Sequence, residues 1–197
     1  VYGWSKLINE IMLAKLEANY GTRWVALRYG NVCGADPDGV IGEAKPKPHT
    51  LMTWAMYSLL ANLGLMPLDR RGVREVLSVF GDDYPTRDGT CVRDYVHPTD
   101  LASAHVAALQ HLERGGASGA FNLGTQTGST VLEVLKACEQ AAGAKLRYSI
   151  EARRPGDAAQ SVLDCSLAAA ELGYHTKYDL VMMARTAWAW HKGHVDG

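Results

Sequence analysis

The stretch SKLINEIMLAKLEANYGTRWVALRYGNVCG, Ser5–Gly34, decides the fold class. In its first part Leu7, Ile8, Ile11, Met12 and Leu16 recur at the spacing of one helical face, and Gly21 follows as a C-terminal breaker. Residues 23–34, RWVALRYGNVCG, then read as a short apolar run, a buried strand, closing in a loop with Gly and Asn. A helix feeding directly into a buried strand predicts an α/β fold.

Working downstream, residues 35–50 carry three of the seven prolines and several turn signals, so the chain is expected to leave one structural layer there and enter another. LMTWAMYSLLANLG reads as a helix, residues 77–97 as two short strands around an exposed loop, and TDLASAHVAALQHLERGG as a helix capped by Thr99 or Asp100. GAFNLGT is another buried strand. Alternation resumes to the end, with STVLEVLKACEQAAG helical, KLRYSIEA extended, and CSLAAAELGY and DLVMMARTAWAWHKG helical.

Working upstream, the helix begins YGWSK, and Tyr2 and Lys6 are related as i and i+4, which places an ammonium beside a phenol on one face. A nearby positive charge favours the phenolate, so the pair could supply a proton acceptor near neutral pH. By spacing alone, a solvated amphipathic face is the simpler reading.

Composition narrows the function classes. At 197 residues, 47% hydrophobic and 21% charged, the chain is an ordinary globular sequence with one sizeable core or two small ones. A net charge of -1, with Lys and Arg scattered singly, argues against nucleic acid as a partner. Cys33, Cys91, Cys138 and Cys165 lie far apart, and the seven histidines form no His-x-x-x-His pair, so neither zinc nor a disulfide framework is indicated and a reducing, cytoplasmic setting is expected. No run of 18 apolar residues is present, so no membrane partner is expected. A chain opening on Val1 and running at once into Tyr2 is expected to be the later part of a longer protein.

Four stretches in order, YGWSK (2–6), LRYGNVCGADPDGVIGE (27–43), FGDDYPTRDGTCVRDYVHPTDLA (80–102) and ARRPGD (152–157), resemble the UDP-glucose 4-epimerases, also called UDP-galactose 4-epimerases, of the extended short-chain dehydrogenase/reductase family. The likeness covers nearly the whole chain. It implies a Rossmann-type parallel-sheet domain for NAD, of which residues 1–34 and 97–125 would be the remaining part, and a smaller mixed α/β domain for a UDP-sugar, residues 35–96 and 126–197. The family's G-x-x-G-x-x-G turn and the Ser or Thr that assists its Tyr are missing, so the chain by itself is expected to be inactive. GTQTGST (124–130) is read as a structural turn.

The resemblance also implies site roles. Tyr2 would be the acid-base group at the sugar 4-hydroxyl, and Lys6 would hold the nicotinamide ribose and tune the Tyr. The reaction would be NAD-dependent inversion at C4 of a UDP-hexose through a transient 4-keto intermediate. Tyr29 would lie on the cofactor side. Arg93, Arg154 and Asn31 would contact the pyrophosphate, Asp157 the uridine ribose, Tyr95 the nucleotide through its hydroxyl, and Phe80 the uracil. Ser161, small where relatives often carry a bulky aromatic, would leave room beside C2 for the N-acetyl forms of the substrates. The Tyr2–Asn19 helix is expected to pair two subunits as a homodimer. UDP-pentose or UDP-uronate epimerisation, and a non-catalytic nucleotide-sugar-binding remnant, are the competing readings.

Two departures stand out. Gly30 occupies the place of a large aromatic near the nicotinamide, which predicts a looser cofactor pocket, and His49 and Thr50 replace an Asn pair that contacts uracil and sugar. His97 and His105 are expected to cap or pack, Trp188 and Trp190 to pack the last helix, and Asp82, Asp83 and Asp88 to serve a turn rather than a metal.

Overall fold

A computed structural model describes residues 1–44, 48–67, 73 and 75–195. Residues 45–47 of the Pro-rich stretch, and the end of the expected sugar domain at 196–197, lie outside the described residues. The fold is α/β, as the alternating pattern predicts.

The described elements are α1 (Tyr2–Tyr20), β1 (Val25–Tyr29), β2 (Asn31–Val32), α2 (Leu51–Asn62), β3 (Val76–Phe80), β4 (Val92–Arg93) and β5 (Tyr95–Val96). They continue with α3 (Pro98–Glu113), β6 (Gly119–Leu123), β7 (Ser129–Thr130), α4 (Val131–Ala142), β8 (Arg147–Glu151), β9 (Gln160–Ser161), α5 (Ser166–Leu172) and α6 (Leu180–Gly193). Three parallel pairs, β1–β6, β2–β5 and β3–β8, stand beside a mixed sheet in which β4 runs antiparallel to β7 and parallel to β9.

Two apolar cores organise these elements. One gathers Val96, Leu101 and Ala104 with Phe121, Leu123, Ala168 and Leu172, from β5, α3, β6 and α5. The other gathers Met56, Leu59 and Leu60 of α2 with Val79, Val134, Cys138 and Met183, from β3, α4 and α6. Burial of this apolar surface is the main favourable term in folding, at about 25 cal/mol per Å² removed from water. Tyr95 belongs to the second core and its neighbour Val96 to the first, because side chains alternate along a strand. The α5 segment packs with α3 and β6, although the sequence division assigns it with the rest of 126–197 to the other unit.

α1 lies at the surface, and three local expectations after it need correction, those for β1, the α3 cap and the loop after β3. The apolar stripe of α1 faces outward, and the helix has no buried residue; Ile8, Ile11 and Met12 are more than half exposed. Polar groups fasten it instead: Arg28 forks onto Glu10, and Glu17 accepts from Trp24 Nε1 at 3.1 Å and from the Ser118 hydroxyl at 2.5 Å. Strand β1 is half-buried rather than buried, and among the described residues it pairs with β6.

The N-cap of α3 is His97, not Thr99 or Asp100; its Nδ1 accepts the Thr99 N–H at 3.2 Å, and Pro98 opens the helix where no N–H is needed. Asp100 is buried and accepts the main-chain N–H groups of Lys177 and Tyr178. The loop after β3 is not an exposed excursion, since Tyr84 and Thr90 are buried within it. Asp88 accepts the Thr90 N–H and hydroxyl at 2.9 and 2.7 Å and also the Thr130 hydroxyl, the local backbone bonding for which Asp suits turns.

Candidate active site

A cleft of about 1340 Å³ opens between the strand ends and the α2 and α3 N-termini. Asn31, Phe80, Arg93, Tyr95, Arg154 and Asp157 all line it, although they come from three of the four quoted stretches of sequence. Strand pairing explains part of the convergence: β2 and β5 place Asn31 opposite Tyr95 in register. Burial is the dominant influence on the Tyr95 phenol and pushes its pKa far up, against a smaller lowering influence from Asn31. Tyr95 is therefore a neutral hydroxyl and not a base.

The basic groups are placed by partners within the cleft wall. Arg93 Nη2 donates to Asp157 Oδ1 at 2.9 Å, and Nη1 donates to the Val92 and Ala158 carbonyls at 2.7 and 2.8 Å. The Arg154 guanidinium lies 3.9 Å from the Phe80 ring centroid, a cation–π contact. Its neighbour Arg153 turns away and donates to Asp83 at 2.5 Å, with its guanidinium 4.1 Å from the Tyr84 ring centroid. Asp83 and Arg153 thus anchor the loop whose next residue faces the cleft.

Tyr2 and Lys6 share a face, as their spacing predicts, with Lys6 Nζ 5.3 Å from the Tyr2 ring centroid. Both are exposed on the first turn of α1 and do not line the cleft. Tyr29, half exposed at the end of β1, does not line it either. Ser161 is outside the lining as well, exposed on β9 and in register with Arg93 of β4.

Other lining residues escaped the sequence reading. Cys33 and Cys91 border the cleft, and burial raises both thiols, which keeps them protonated at neutral pH. Glu43 also lines it and accepts the Thr53 hydroxyl at 2.5 Å beside the α2 N-cap, Thr50. His49 and Thr50 do reach the cleft, as their place in the sequence suggested. Gly30 has a direct physical cause: a Cβ there would lie 2.4 Å from the Asp94 carbonyl oxygen, so the absent side chain reflects a close main-chain approach. Among the described residues no group of three or more His, Cys, Asp or Glu could hold a metal ion, and no helix is long and apolar enough to cross a membrane.

A model of the NAD dependent epimerase/dehydratase family matches residues 1–124. The UDP-glucose 4-epimerase of Halalkalibacterium halodurans is 41% identical over 198 residues, covering 100% of this chain and 56% of that protein. A UDP-glucose 4-epimerase of Bos taurus is 41% identical over 198 residues, covering 100% of this chain and 54% of that protein. The crystal structure of UDP-glucose-4-epimerase from Stenotrophomonas maltophila, with bound NAD and formylated UDP-arabinopyranose, matches with a TM-score of 0.87 at 42% identity, covering 98% of this chain and 55% of that one. The chain spans about half the length of the relatives it matches. With that match over more than half its residues and these relatives along its whole length, the chain belongs to the NAD dependent epimerase/dehydratase family.

Proposed function

We propose that the complete protein is a UDP-hexose 4-epimerase, interconverting UDP-glucose and UDP-galactose, and that this chain supplies the nucleotide clamp and the proton-transfer pair. The observation that carries the reading is the gathering of Asn31, Phe80, Arg93, Tyr95, Arg154 and Asp157 on one cleft. Two guanidinium groups, an aromatic ring and a carboxylate are the chemistry that pyrophosphate, uracil and ribose require. Arg93 and Arg154 bind the phosphate oxygens, Phe80 lies beside the uracil, and Asp157 accepts from the ribose hydroxyls. Tyr2 holds and returns the proton of the sugar 4-hydroxyl, and Lys6, one helical turn away, keeps a positive charge beside it.

The residues present fit one end of a bound NAD. An exposed phenol and ammonium on one helical face suit the nicotinamide ribose, and Tyr29, half exposed at the end of β1, is the further cofactor-side group in this reading, while the sequence contains no G-x-x-G-x-x-G for the phosphates. NAD, when bound, would supply the reversible hydride acceptor that inversion at C4 through a 4-keto sugar with no net oxidation requires. This chain alone lacks the phosphate cradle and is inactive in this reading.

The outward apolar stripe of α1 fits a homodimer contact, which sedimentation of the complete protein as a monomer at micromolar concentration would exclude. The pentose ligand of the Stenotrophomonas maltophila structure gives some weight to UDP-pentoses as alternative substrates. The deciding experiment is to supply the complete protein with NAD and UDP-glucose. Formation of UDP-galactose is expected, no product is expected from the 197-residue chain, and UDP binding without turnover by the complete protein would favour the non-catalytic reading.

A further inference from the structure

Asp94 stands between two residues of the cleft, Arg93 and Tyr95, yet its own carboxylate is buried away from that lining. Four donors converge on it. The Thr125 N–H and hydroxyl reach Oδ1 at 2.7 Å each, and the N–H groups of Gln126 and Leu163 reach Oδ2 at 3.1 and 3.2 Å. Its main chain is used as fully: the Asp94 N–H donates to the Ser161 carbonyl at 3.0 Å, and its carbonyl accepts the Asn31 N–H at 2.8 Å.

Two glycines give it space. A Cβ on Gly30 would meet the Asp94 carbonyl oxygen at 2.4 Å, and a Cβ on Gly124 would meet its carboxylate at 2.3 Å. Gln126, the one positive-φ non-glycine residue among those described, holds φ 64° while delivering its N–H to the carboxylate. At Asp94 the chain leaves the β7–β4–β9 sheet and begins the β5–β2 pairing, so the residue sets the relative placement of Arg93, Tyr95 and Asn31.

We propose that Asp94 is a positioning residue of the nucleotide site: by tying β4 and β5 to the 124–126 turn and to Leu163, it fixes where the Arg93 guanidinium stands. The role rests on the nucleotide-sugar reading of the cleft. It requires a carboxylate, because an ionised carboxylate only accepts, whereas an amide would turn an NH2 group against N–H donors already in place. Disturbance at Asp94 reaches Arg93 through the next peptide unit, and the phosphate contact suffers before the nucleoside contact does.

The test compares UDP with uridine as ligands of the complete protein by titration calorimetry, for the wild type, Asp94→Asn and Thr125→Val. Thr125→Val removes one hydroxyl donor from a residue outside the cleft lining. Asp94→Asn is expected to weaken UDP by about tenfold or more and Thr125→Val by a few-fold, with uridine affinity falling less than UDP affinity in both. Equal losses for UDP and uridine, or no loss, overturn the positioning role, because a general loss of folded protein lowers the number of sites and does not separate the two ligands. If Asp94→Asn does not fold, Thr125→Val decides alone by the same ratio. A wild-type protein that binds neither ligand fails differently: it removes the nucleotide reading, and the positioning role falls with it.

Discussion

Arg93 and Asp157, 64 residues apart in sequence, form an ion pair of 2.9 Å on the wall of the cleft, with side-chain exposures of 18% and 31%. The pair fastens the loop carrying Arg154 to β4, so one interaction orients both guanidinium groups before a ligand arrives. Arg154→Ala in the complete protein is expected to raise the UDP dissociation constant about tenfold, since a charge-assisted hydrogen bond contributes roughly 1.5 to 3 kcal/mol. Calorimetric titration with UDP measures it, and an unchanged constant would take Arg154 out of the phosphate site.

Tyr2→Phe should separate chemistry from binding. The phenol is on α1 and outside the cleft proposed to hold the nucleotide, so its loss should lower kcat by about 10²-fold or more while leaving UDP affinity within about twofold. Single-turnover kinetics on the complete protein beside UDP titration gives both quantities. Wild-type turnover in Tyr2→Phe would end its assignment as the acid-base group.

Gly30→Ala tests the close approach at Asp94. The added Cβ would sit 2.4 Å from a carbonyl oxygen, a main-chain atom with little freedom to yield. Overpacking of this kind typically costs about 1 to 3 kcal/mol. The urea midpoint is therefore expected to fall, whereas equal stability would show that a side chain can be carried there as in aromatic-bearing relatives.

His97 makes stability depend on pH. It is fully buried, stacked on Tyr178 with ring centroids 3.9 Å apart, and within 3.1 Å of the Thr186 hydroxyl through Nε2. Burial lowers its pKa, outweighing the opposing influence of Asp100 and Asp36. The unfolded chain therefore binds a proton at higher pH than the folded one. The His97 contribution is complete above about pH 6.5 and is lost progressively as the pH falls below that value toward the lowered folded pKa. Protonation would also remove the Nδ1 acceptor that caps α3. Denaturant midpoints at pH 7.5 and 5.5 should differ more for the wild type than for His97→Gln, and an equal difference in both proteins would place the acid sensitivity elsewhere.

Ser161 is tested by Ser161→Tyr. Ladder partners in a sheet share a face about 4.8 Å apart, so Ser161 stands one strand beyond Arg93, on the same side. A Tyr there is expected to reach the space needed by a C2 N-acetyl group and to lower kcat/KM for UDP-GalNAc selectively over UDP-galactose. An unchanged ratio would remove the residue from sugar selection.

The sequence by itself determined the α/β class and the helix that sets Lys6 above Tyr2, because side-chain periodicity is a local property, whereas the six residues that line one cleft were named only by the resemblance. It also determined α4, whose Thr130–Glu133 capping box and terminal Gly143 are written in consecutive residues. Only the tertiary structure decided that the apolar stripe of α1 faces outward, that α5 joins the core of α3 and β6, and that His97, expected to cap or pack, takes the α3 N-cap in place of Thr99 or Asp100. The same holds for Gly30, whose reason is a carbonyl 64 residues away, and for Asp94, whose four donors come from two distant segments. A periodic pattern states which way a side chain points from its own element; what it meets there depends on which distant segments packing brings against it.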